Sequence, residues 1–324
     1  AVCRKATRAI NEEHVRGVKT NIPFVTNILN HPTFIAGKCH TKFIDETPEL
    51  FEFSEGKDRA TRVLKYIANI QVADPETERH QYDTPRFPKA KRVITAEDGL
   101  KHLLDTKGPE AVKQHILNEK KLLITDTTMR DAHQSLLSTR MRDILKGAEG
   151  TADILADCFS LEMWGGATFD TCYRFLHESP WERLCMMREL IPNIPFQMLL
   201  RGSNLVGYAS YPDNLVRAFI GEAAREGIDV FRVFDSLNWL PNMEVAMDEV
   251  LKQGKLLEGT VCYTGDILDP TRDRYTLEYY VNFAKELEKR GAHILTIKDM
   301  SGLLKPYAAK KLISTLKQEV GLPI

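Results

Sequence analysis

The sequence is poor in the features that mark secreted, membrane and nucleic-acid-binding proteins. Six cysteines are scattered over 324 residues, without the C-x-x-C spacing of a zinc ribbon and too sparsely for a disulfide framework. No apolar run reaches the roughly 18 residues that a transmembrane helix needs, and AVCRKATRAINEEHVRG at the N-terminus lacks a signal-peptide core. Because 44 basic residues balance 45 acidic ones, we expect no nucleic-acid or membrane partner.

Three regions of different character follow one another along the chain. Residues 1 to about 53 carry helical patterns around PFVTNILNHPTFIAG. Residues 54–120 are charged and mixed, with a helix predicted over DRATRVLKYIANIQV and then a stretch with three prolines, ADPETERHQYDTPRFPKAKRV, that is typical of a linker. The chain begins with Ala rather than Met, which favours its being part of something longer.

From residue 121 onward, short β-prone runs alternate with amphipathic helical patterns. Glycines at the ends of several helical patterns suit helix C-caps, and the alternation predicts parallel βαβ units. The six predicted strands are KLLITDTT, SLEMWGG, FQMLLRG, DVFRVFDS, EGTVCYTG and HILTIKDM. An open doubly wound sheet would usually carry a glycine-rich loop after its first strand, yet residues 126–135 contain no glycine. We therefore predict an α/β fold with an incomplete (β/α)8 TIM barrel of about six βα units.

Polar residues cluster where these predicted strands end, which is where a parallel barrel places its catalytic groups. They are Asp126, Arg130, Asp131, Gln134, Asp170, Arg201, Tyr208, Arg232, Asp235, Lys298 and Asp299. Each also has a structural interpretation. Lys298 could pair with Asp299, and Arg201 with an acidic strand end rather than with an anionic substrate. Asp170 could cap the helix TCYRFL, and an isolated His133 is more often structural than a ligand.

Five motifs then resemble one family closely and in the expected order. DTTMRDAHQSLLSTRMR, LEMWGGATFD, LLRGSNLVGY, GIDVFRVFDSLN and TIKDMSGLLKP are similar to the carboxyltransferase domain of pyruvate carboxylases. VRGVKTNIPF, HPTFIAG and KFIDETPELF resemble the C-terminal end of the biotin carboxylase domain. The resemblance implies three parts: a small α/β tail of a biotin carboxylase domain (1–53), a linker and allosteric-region segment (54–120) and the barrel (121–324).

The resemblance also implies roles for single residues. Asp131 would be a metal ligand, and Lys298 would be carboxylated to a carbamate that bridges to the same ion, either Zn or Mn. Two further ligands would be histidines of an H-x-H motif that follows a GLPI-like stretch. This chain ends at GLPI and contains no H-x-H, so we expect it alone neither to bind metal tightly nor to carboxylate pyruvate.

Substrate contacts follow in the same way. Gln134 and Arg201 would bind pyruvate, Arg130 would line the same site, and Asp170 and Tyr208 would lie near the carboxybiotin pocket. The partners implied are pyruvate, a biotin carboxyl carrier domain and three further copies in a homotetramer. The cofactors implied are biotin, the metal and, in a biotin carboxylase core, ATP and bicarbonate. We expect a cytoplasmic or mitochondrial-matrix protein that is not secreted.

Two other interpretations stay open on the sequence. The chain could be an oxaloacetate decarboxylase α or transcarboxylase 5S type of subunit, although those begin close to the first barrel strand. It could also be a non-catalytic scaffold with a truncated barrel. The sequence beyond both ends of the chain would separate these hypotheses.

Overall fold

The structure, a computed structural model, describes residues 2–13, 15, 19–53, 63–64, 66–68, 89–136 and 144–324. Side chains of residues 134–136 are not described. The chain divides into two compact units, residues 1–84 and 85–324. Most of the helix predicted over residues 58–72, and most of the linker predicted over residues 73–93, lie outside the described residues. The predicted domain boundaries therefore stay a prediction.

The described part of the first unit is built from short helices. They are α1 (Val2–Glu12), α2 (Ile22–Asn30), α3 (Pro32–Ile35) and a 3₁₀ turn (Pro48–Phe51). His31 separates α2 from α3 and caps the latter, because its Nδ1 accepts the Thr33 N–H at 3.2 Å. The Asn27 amide donates to the carbonyls of Leu50 and Glu52, which holds the 3₁₀ turn against α2.

The second unit contains a parallel sheet whose six described strands follow one another in chain order. They are β1 (Thr125–Asp126), β2 (Ser160–Trp164), β3 (Phe196–Leu200), β4 (Val230–Val233), β5 (Leu256–Cys262) and β6 (Ile294–Lys298). Every predicted strand is present, and the sheet curls into a half-barrel. The predicted incomplete TIM barrel is thus confirmed.

Helices follow the strands as the alternation predicted. They are α5 (Ala148–Ile154), α6 (Gly166–Asp170), α7 (Pro180–Leu190), α8 (Asp213–Arg225), α9 (Pro241–Lys252), α10 (Leu277–Lys289) and α11 (Pro306–Glu319). The single helix predicted over residues 169–190 is in fact interrupted. A π-helix (Thr171–Leu176) ends at His177, whose φ is +55°, and α7 restarts with Ser179 as N-cap and Pro180 at its first position.

A helix that the sequence did not reveal, α4 (Leu100–Asn118), lies at the N-terminal ends of the strands. Its Leu104 and Val112 pack in one cluster with Val230, Leu256 and Ile294, the first residues of three strands. Gly108 interrupts α4 with φ +78°, a conformation that glycine adopts without steric cost. The break before Pro109 lowers the helical periodicity, which explains why the pattern escaped notice.

Candidate active site

The loop after β1 turns directly into a π-helix, Thr128–Leu136, that presents the RDAHQ residues. Asp126 starts this turn, since its two carboxylate oxygens accept from the backbone N–H and the hydroxyl of Thr128 at 3.0 Å each. Asp126 therefore has a local structural role at the start of this turn. Gln134 lies on the same π-helix, but its side chain is outside the described residues.

Arg130 is held by three hydrogen bonds to two carboxylates. Its Nε and Nη2 donate to the same oxygen of Glu162, at 2.9 and 2.6 Å. Its Nη1 donates to Asp131 at 2.8 Å. The Asp131 side chain is about half exposed (48%), whereas that of Glu162 is fully buried. Arg130 thus links a buried carboxylate to one that faces the solvent.

Two consecutive glycines after β2 make room for two arginines. A Cβ on Gly165 would lie 3.0 Å from Cδ of Arg130, and a Cβ on Gly166 would lie 2.7–2.8 Å from the guanidinium of Arg201. The second separation is shorter than real Cβ contacts, so any side chain at Gly166 displaces Arg201. The WGG sequence is therefore a steric requirement of this end of the barrel.

Arg201 lies at the end of β3 beside Asp170 and Tyr208. Its Nη1 donates to the Gly207 carbonyl at 3.0 Å, and its guanidinium lies 5.3 Å from the centre of the Tyr208 ring. The Tyr208 hydroxyl donates to Asp170 at 2.6 Å, and this bond raises the pKa of the tyrosine. Asp170 therefore does not cap the following helix. Among the described residues Arg201 has no carboxylate partner, so its pairing with an acidic strand end is not observed there.

Lys298 is the last residue of β6, and its ammonium has no hydrogen bond or ion pair among the described residues. Asp299, the partner that its structural interpretation needed, instead accepts the backbone N–H groups of Leu303 and Leu304. Burial lowers the pKa of Lys298, and the nearby positive charges of Arg232 and Arg130 lower it further. Lys298 therefore loses its proton to become a neutral amine more readily than a surface lysine does.

The barrel interior holds a polar network that sequence reasoning missed. Glu258 Oε2 on β5 accepts from Arg232 Nε at 2.6 Å and from Gln197 Nε2 at 2.9 Å. Gln197 accepts from Ser160, and Arg232 Nη1 lies 3.7 Å from the other oxygen of Glu162. The available signal was one or two polar residues within each of the otherwise apolar strands SLEMW, FQMLL and LLEGTVC. Burying such groups is costly unless they pair with one another.

His133 is fully buried and lies 3.2 Å from the guanidinium of Arg183 through its Nε2. This environment agrees with the structural role expected for it. Its neighbour Asp131 is the more exposed of the two, so it is the better placed to meet a ligand from solvent.

Within the described ranges, no group of three or more His, Cys, Asp or Glu side chains is placed to hold one metal ion. Asp131 does suit a hard divalent ion, because its carboxylate is half exposed and Arg130 is the one described hydrogen-bond donor to it. Lys298 becomes an oxygen ligand only if its amine is carboxylated. The chain thus offers at most these two of the predicted ligands.

Comparison with known proteins agrees with this geometry. Residues 1–46 match the biotin carboxylase C-terminal domain. The chain is 53% identical to a Staphylococcus aureus pyruvate carboxylase over 99% of its own length, and 50% identical to the mouse mitochondrial enzyme over 97%. The chain is homologous to pyruvate carboxylases. It spans 27–28% of the length of these relatives.

Solved structures of pyruvate carboxylase give the same result. The complete multifunctional enzyme from Rhizobium etli matches 99% of this chain with a TM-score of 0.72 and 50% identity, over 30% of its own length. Its carboxyl transferase domain, solved with pyruvate, matches 83% of this chain and 47% of its own, with a TM-score of 0.72 and 52% identity. Among the described residues, no helix has the length and apolar character needed to cross a bilayer.

Proposed function

We propose that this chain forms most of a carboxyltransferase site that moves a carboxyl group from carboxybiotin to pyruvate and yields oxaloacetate. The observation that carries the proposal is Lys298 at the last position of β6, a half-buried lysine with no hydrogen bond or ion pair among the described residues and only the Phe234 ring 5.1 Å from its ammonium. A buried cation costs free energy unless it is paired, neutral or modified. Its persistence at the catalytic end of a barrel therefore indicates chemistry rather than packing.

Arg201 is the proposed binder of the pyruvate carboxylate. Its planar fork matches a carboxylate in a bidentate arrangement. The Gly207 carbonyl orients the guanidinium without neutralising its charge, and Gly166 leaves the space that it occupies. Gln134 is proposed to contact the same substrate, and Asp170 and Tyr208 to border the carboxybiotin pocket. The hydrogen bond between them fixes the direction of the tyrosine hydroxyl.

Asp131 and Lys298 are the proposed metal ligands of this chain. The neutral amine of Lys298 would attack the carbon of CO2, form an N–C bond and release one proton, giving an anionic carbamate. A divalent ion, Zn or Mn, would supply electrostatic stabilisation of negative charge on the substrate oxygen. Arg130 and Arg201 add fixed positive charge at the same end, where enolate character develops on pyruvate.

The wider assignments follow from the relatives and belong to the proposal. They are a biotin carboxyl carrier domain as partner, ATP and bicarbonate as the source of the carboxyl group, a homotetramer, and a cytoplasmic or mitochondrial location. The match of residues 1–46 to the biotin carboxylase C-terminal domain supports this function over that of a decarboxylase α or transcarboxylase 5S subunit.

The test is oxaloacetate formation from pyruvate by the full-length protein, with Arg201→Lys as the variant. Losing the guanidinium fork should lower kcat/KM for pyruvate about a hundredfold, as loss of one charge-stabilising donor typically does. Arg217→Lys on α8 is the matched control, because Arg217 pairs with Glu249 on the outer helices and should leave the rate unchanged. Equal rates for both variants would contradict the proposal.

A further inference from the structure

Glu162, in the middle of β2, is the buried acid that contacts the candidate site most directly. One of its carboxylate oxygens, Oε2, accepts both the Nε and the Nη2 hydrogen bonds of Arg130. Charge-assisted bonds of 2.6–2.9 Å in a water-excluded interior are among the stronger side-chain contacts. Glu162 therefore occupies Nε and Nη2 of the Arg130 guanidinium and leaves Nη1 for other partners.

What is left is Nη1, and it donates to Asp131 at 2.8 Å. A Cβ at residue 165 would lie 3.0 Å from Arg130 Cδ, so the glycine there leaves room for the Arg130 stem. Arg130 is thus held at its guanidinium by Glu162. Asp131 receives one hydrogen bond from Arg130, and its second oxygen stays available.

The other oxygen of Glu162 supports a role beyond charge balance. Oε1 is buried and has no hydrogen-bond partner among the described residues, with Arg232 Nη1 3.7 Å away. A purely structural carboxylate would be expected to use both oxygens, because an unsatisfied buried acceptor costs about 1–3 kcal/mol. Glu162 instead concentrates both of its hydrogen bonds on Arg130.

We propose that Glu162 is a positioning residue: it draws the Arg130 guanidinium into the barrel, so that Asp131 keeps a free oxygen for a divalent cation. This rests on the proposed function, which makes Asp131 a ligand. Without the negative charge at Glu162, Arg130 pairs more strongly with Asp131 and competes with the cation for it. Glu162 touches neither substrate nor metal in this arrangement and acts through Arg130.

The test is Mn²⁺ affinity of the metal-free full-length protein, measured from the electron paramagnetic resonance signal of free Mn²⁺. Glu162→Gln keeps the shape and removes the charge, and it should weaken Mn²⁺ binding by about 10- to 100-fold, as changes behind a metal ligand commonly do. Unchanged affinity, or a wild-type protein that binds no Mn²⁺, would overturn the proposal.

Glu258→Gln is the matched control. Glu258 is equally buried in the barrel interior but bonds Arg232 and Gln197 rather than Arg130. Its substitution should lower the melting temperature as Glu162→Gln does, yet leave Mn²⁺ affinity within about twofold, since Glu258 hydrogen-bonds neither Arg130 nor Asp131. An equal loss of affinity in both variants would mean a general effect of buried charge and would refute positioning.

A double substitution tests the route through Arg130. In an Arg130→Met background, Glu162→Gln should change Mn²⁺ affinity no further, because the residue through which it acts is gone.

If Glu162→Gln does not fold, Arg130→Lys is the variant to measure instead. A lysine cannot bridge Glu162 and Asp131 as the guanidinium does, so an unchanged Mn²⁺ affinity of Arg130→Lys contradicts the proposal. Normal Mn²⁺ results in a protein without carboxyl transfer would contradict the proposed function alone.

Discussion

Two buried carboxylates, Asp229 and Glu162, organise opposite parts of the same barrel. Asp229 lies just before β4, where its oxygens accept from Lys101, Lys255, Arg188 and the Phe196 N–H. Burial alone would raise the pKa of Asp229, but the surrounding cations hold it below its ordinary value. Every oxygen of Asp229 is satisfied.

Glu162 presents the opposite arrangement. Both of its described hydrogen bonds converge on one oxygen and one arginine, and Oε1 has no hydrogen bond among the described residues, with Arg232 Nη1 3.7 Å away. Nearby, Lys298 has no pairing partner among the described residues. The first cluster satisfies both oxygens of its carboxylate and fastens α4 and α7 to the strands. The second leaves one carboxylate oxygen and one ammonium without a hydrogen bond among the described residues. Buried atoms without a hydrogen bond also occur elsewhere, as at Arg188 Nε, so it is their position beside the strand ends that singles out the candidate site.

The largest effect on stability should come from Asp229→Asn. Removing this charge leaves Arg188, Lys101 and Lys255 without their common partner, and breaking a buried pair typically costs about 3–5 kcal/mol. Urea unfolding measures the loss. Asp105→Asn serves as control, because Asp105 is 46% exposed and its described ion pair is with Lys101, so it should cost less than about 1 kcal/mol. Similar losses for the two variants would deny the structural role of Asp229.

Gly166→Ala should damage the site more than the fold. The new Cβ would push against the Arg201 guanidinium, and we expect catalytic efficiency to fall about 10- to 100-fold with a stability loss of about 1–3 kcal/mol. Steady-state kinetics and thermal melting together measure the split. Gly221→Ala, inside α8 and 3.4 Å from the nearest side-chain atom, should keep full activity. An active Gly166→Ala variant would contradict the steric argument.

The N-terminal end of the barrel should also respond to pH through His293. Burial lowers the pKa of His293 below 6.5, and its Nδ1 accepts the Leu257 N–H. Between the folded and unfolded pKa values the unfolded chain binds the proton, so stability is full above pH 6.5 and falls as the pH drops through the folded value. The slope cannot exceed about 1.4 kcal/mol per pH unit.

His293→Gln should remove this part of the pH dependence, as measured by urea unfolding at pH 7.5 and 5.5. His102→Gln, at an exposed position on α4, should leave the dependence as it is. The interpretation of His293 would be wrong if both variants retained the wild-type slope.

The smallest stability effect is expected for Tyr208→Phe. Tyr208 is 75% exposed, so losing its bond to Asp170 should change the free energy of unfolding by less than about 0.5 kcal/mol. Catalytic efficiency should nevertheless fall, by about tenfold, if the hydroxyl borders the carboxybiotin pocket. Tyr307→Phe, at an equally exposed position on α11, is the control that should change neither quantity.

The sequence predicted the strands well and the helices less evenly. Strand runs such as HILTIK combine β-prone residues with a polar end, so they can be recognised as strands without knowledge of their tertiary contacts. The helix α4 escaped because Gly108 and Pro109 break its periodicity. The interruption of the helix at His177 was not predicted, because a left-handed residue followed by a capping serine is a local feature within a continuous amphipathic pattern.

The site residues at strand ends were predictable, but their supports were not. Arg201 and Lys298 stood out because charge at the end of an apolar run is costly. Glu162 and Glu258 lie inside strands, where a polar residue in the sequence does not indicate which side chain it will pair with. Their pairing arises only when neighbouring strands come into register, with Arg232 opposite Glu258 across β4 and β5.

The most direct test of the central claim is isotope exchange between labelled pyruvate and oxaloacetate in the full-length protein, comparing wild type with Lys298→Met. Methionine preserves the side-chain stem and removes the amine that the site leaves unpaired. We predict that exchange proceeds in the wild type and falls at least a hundredfold in the variant, while the melting temperature is maintained or rises because a buried amine has been removed. Exchange at the wild-type rate in Lys298→Met would contradict the account.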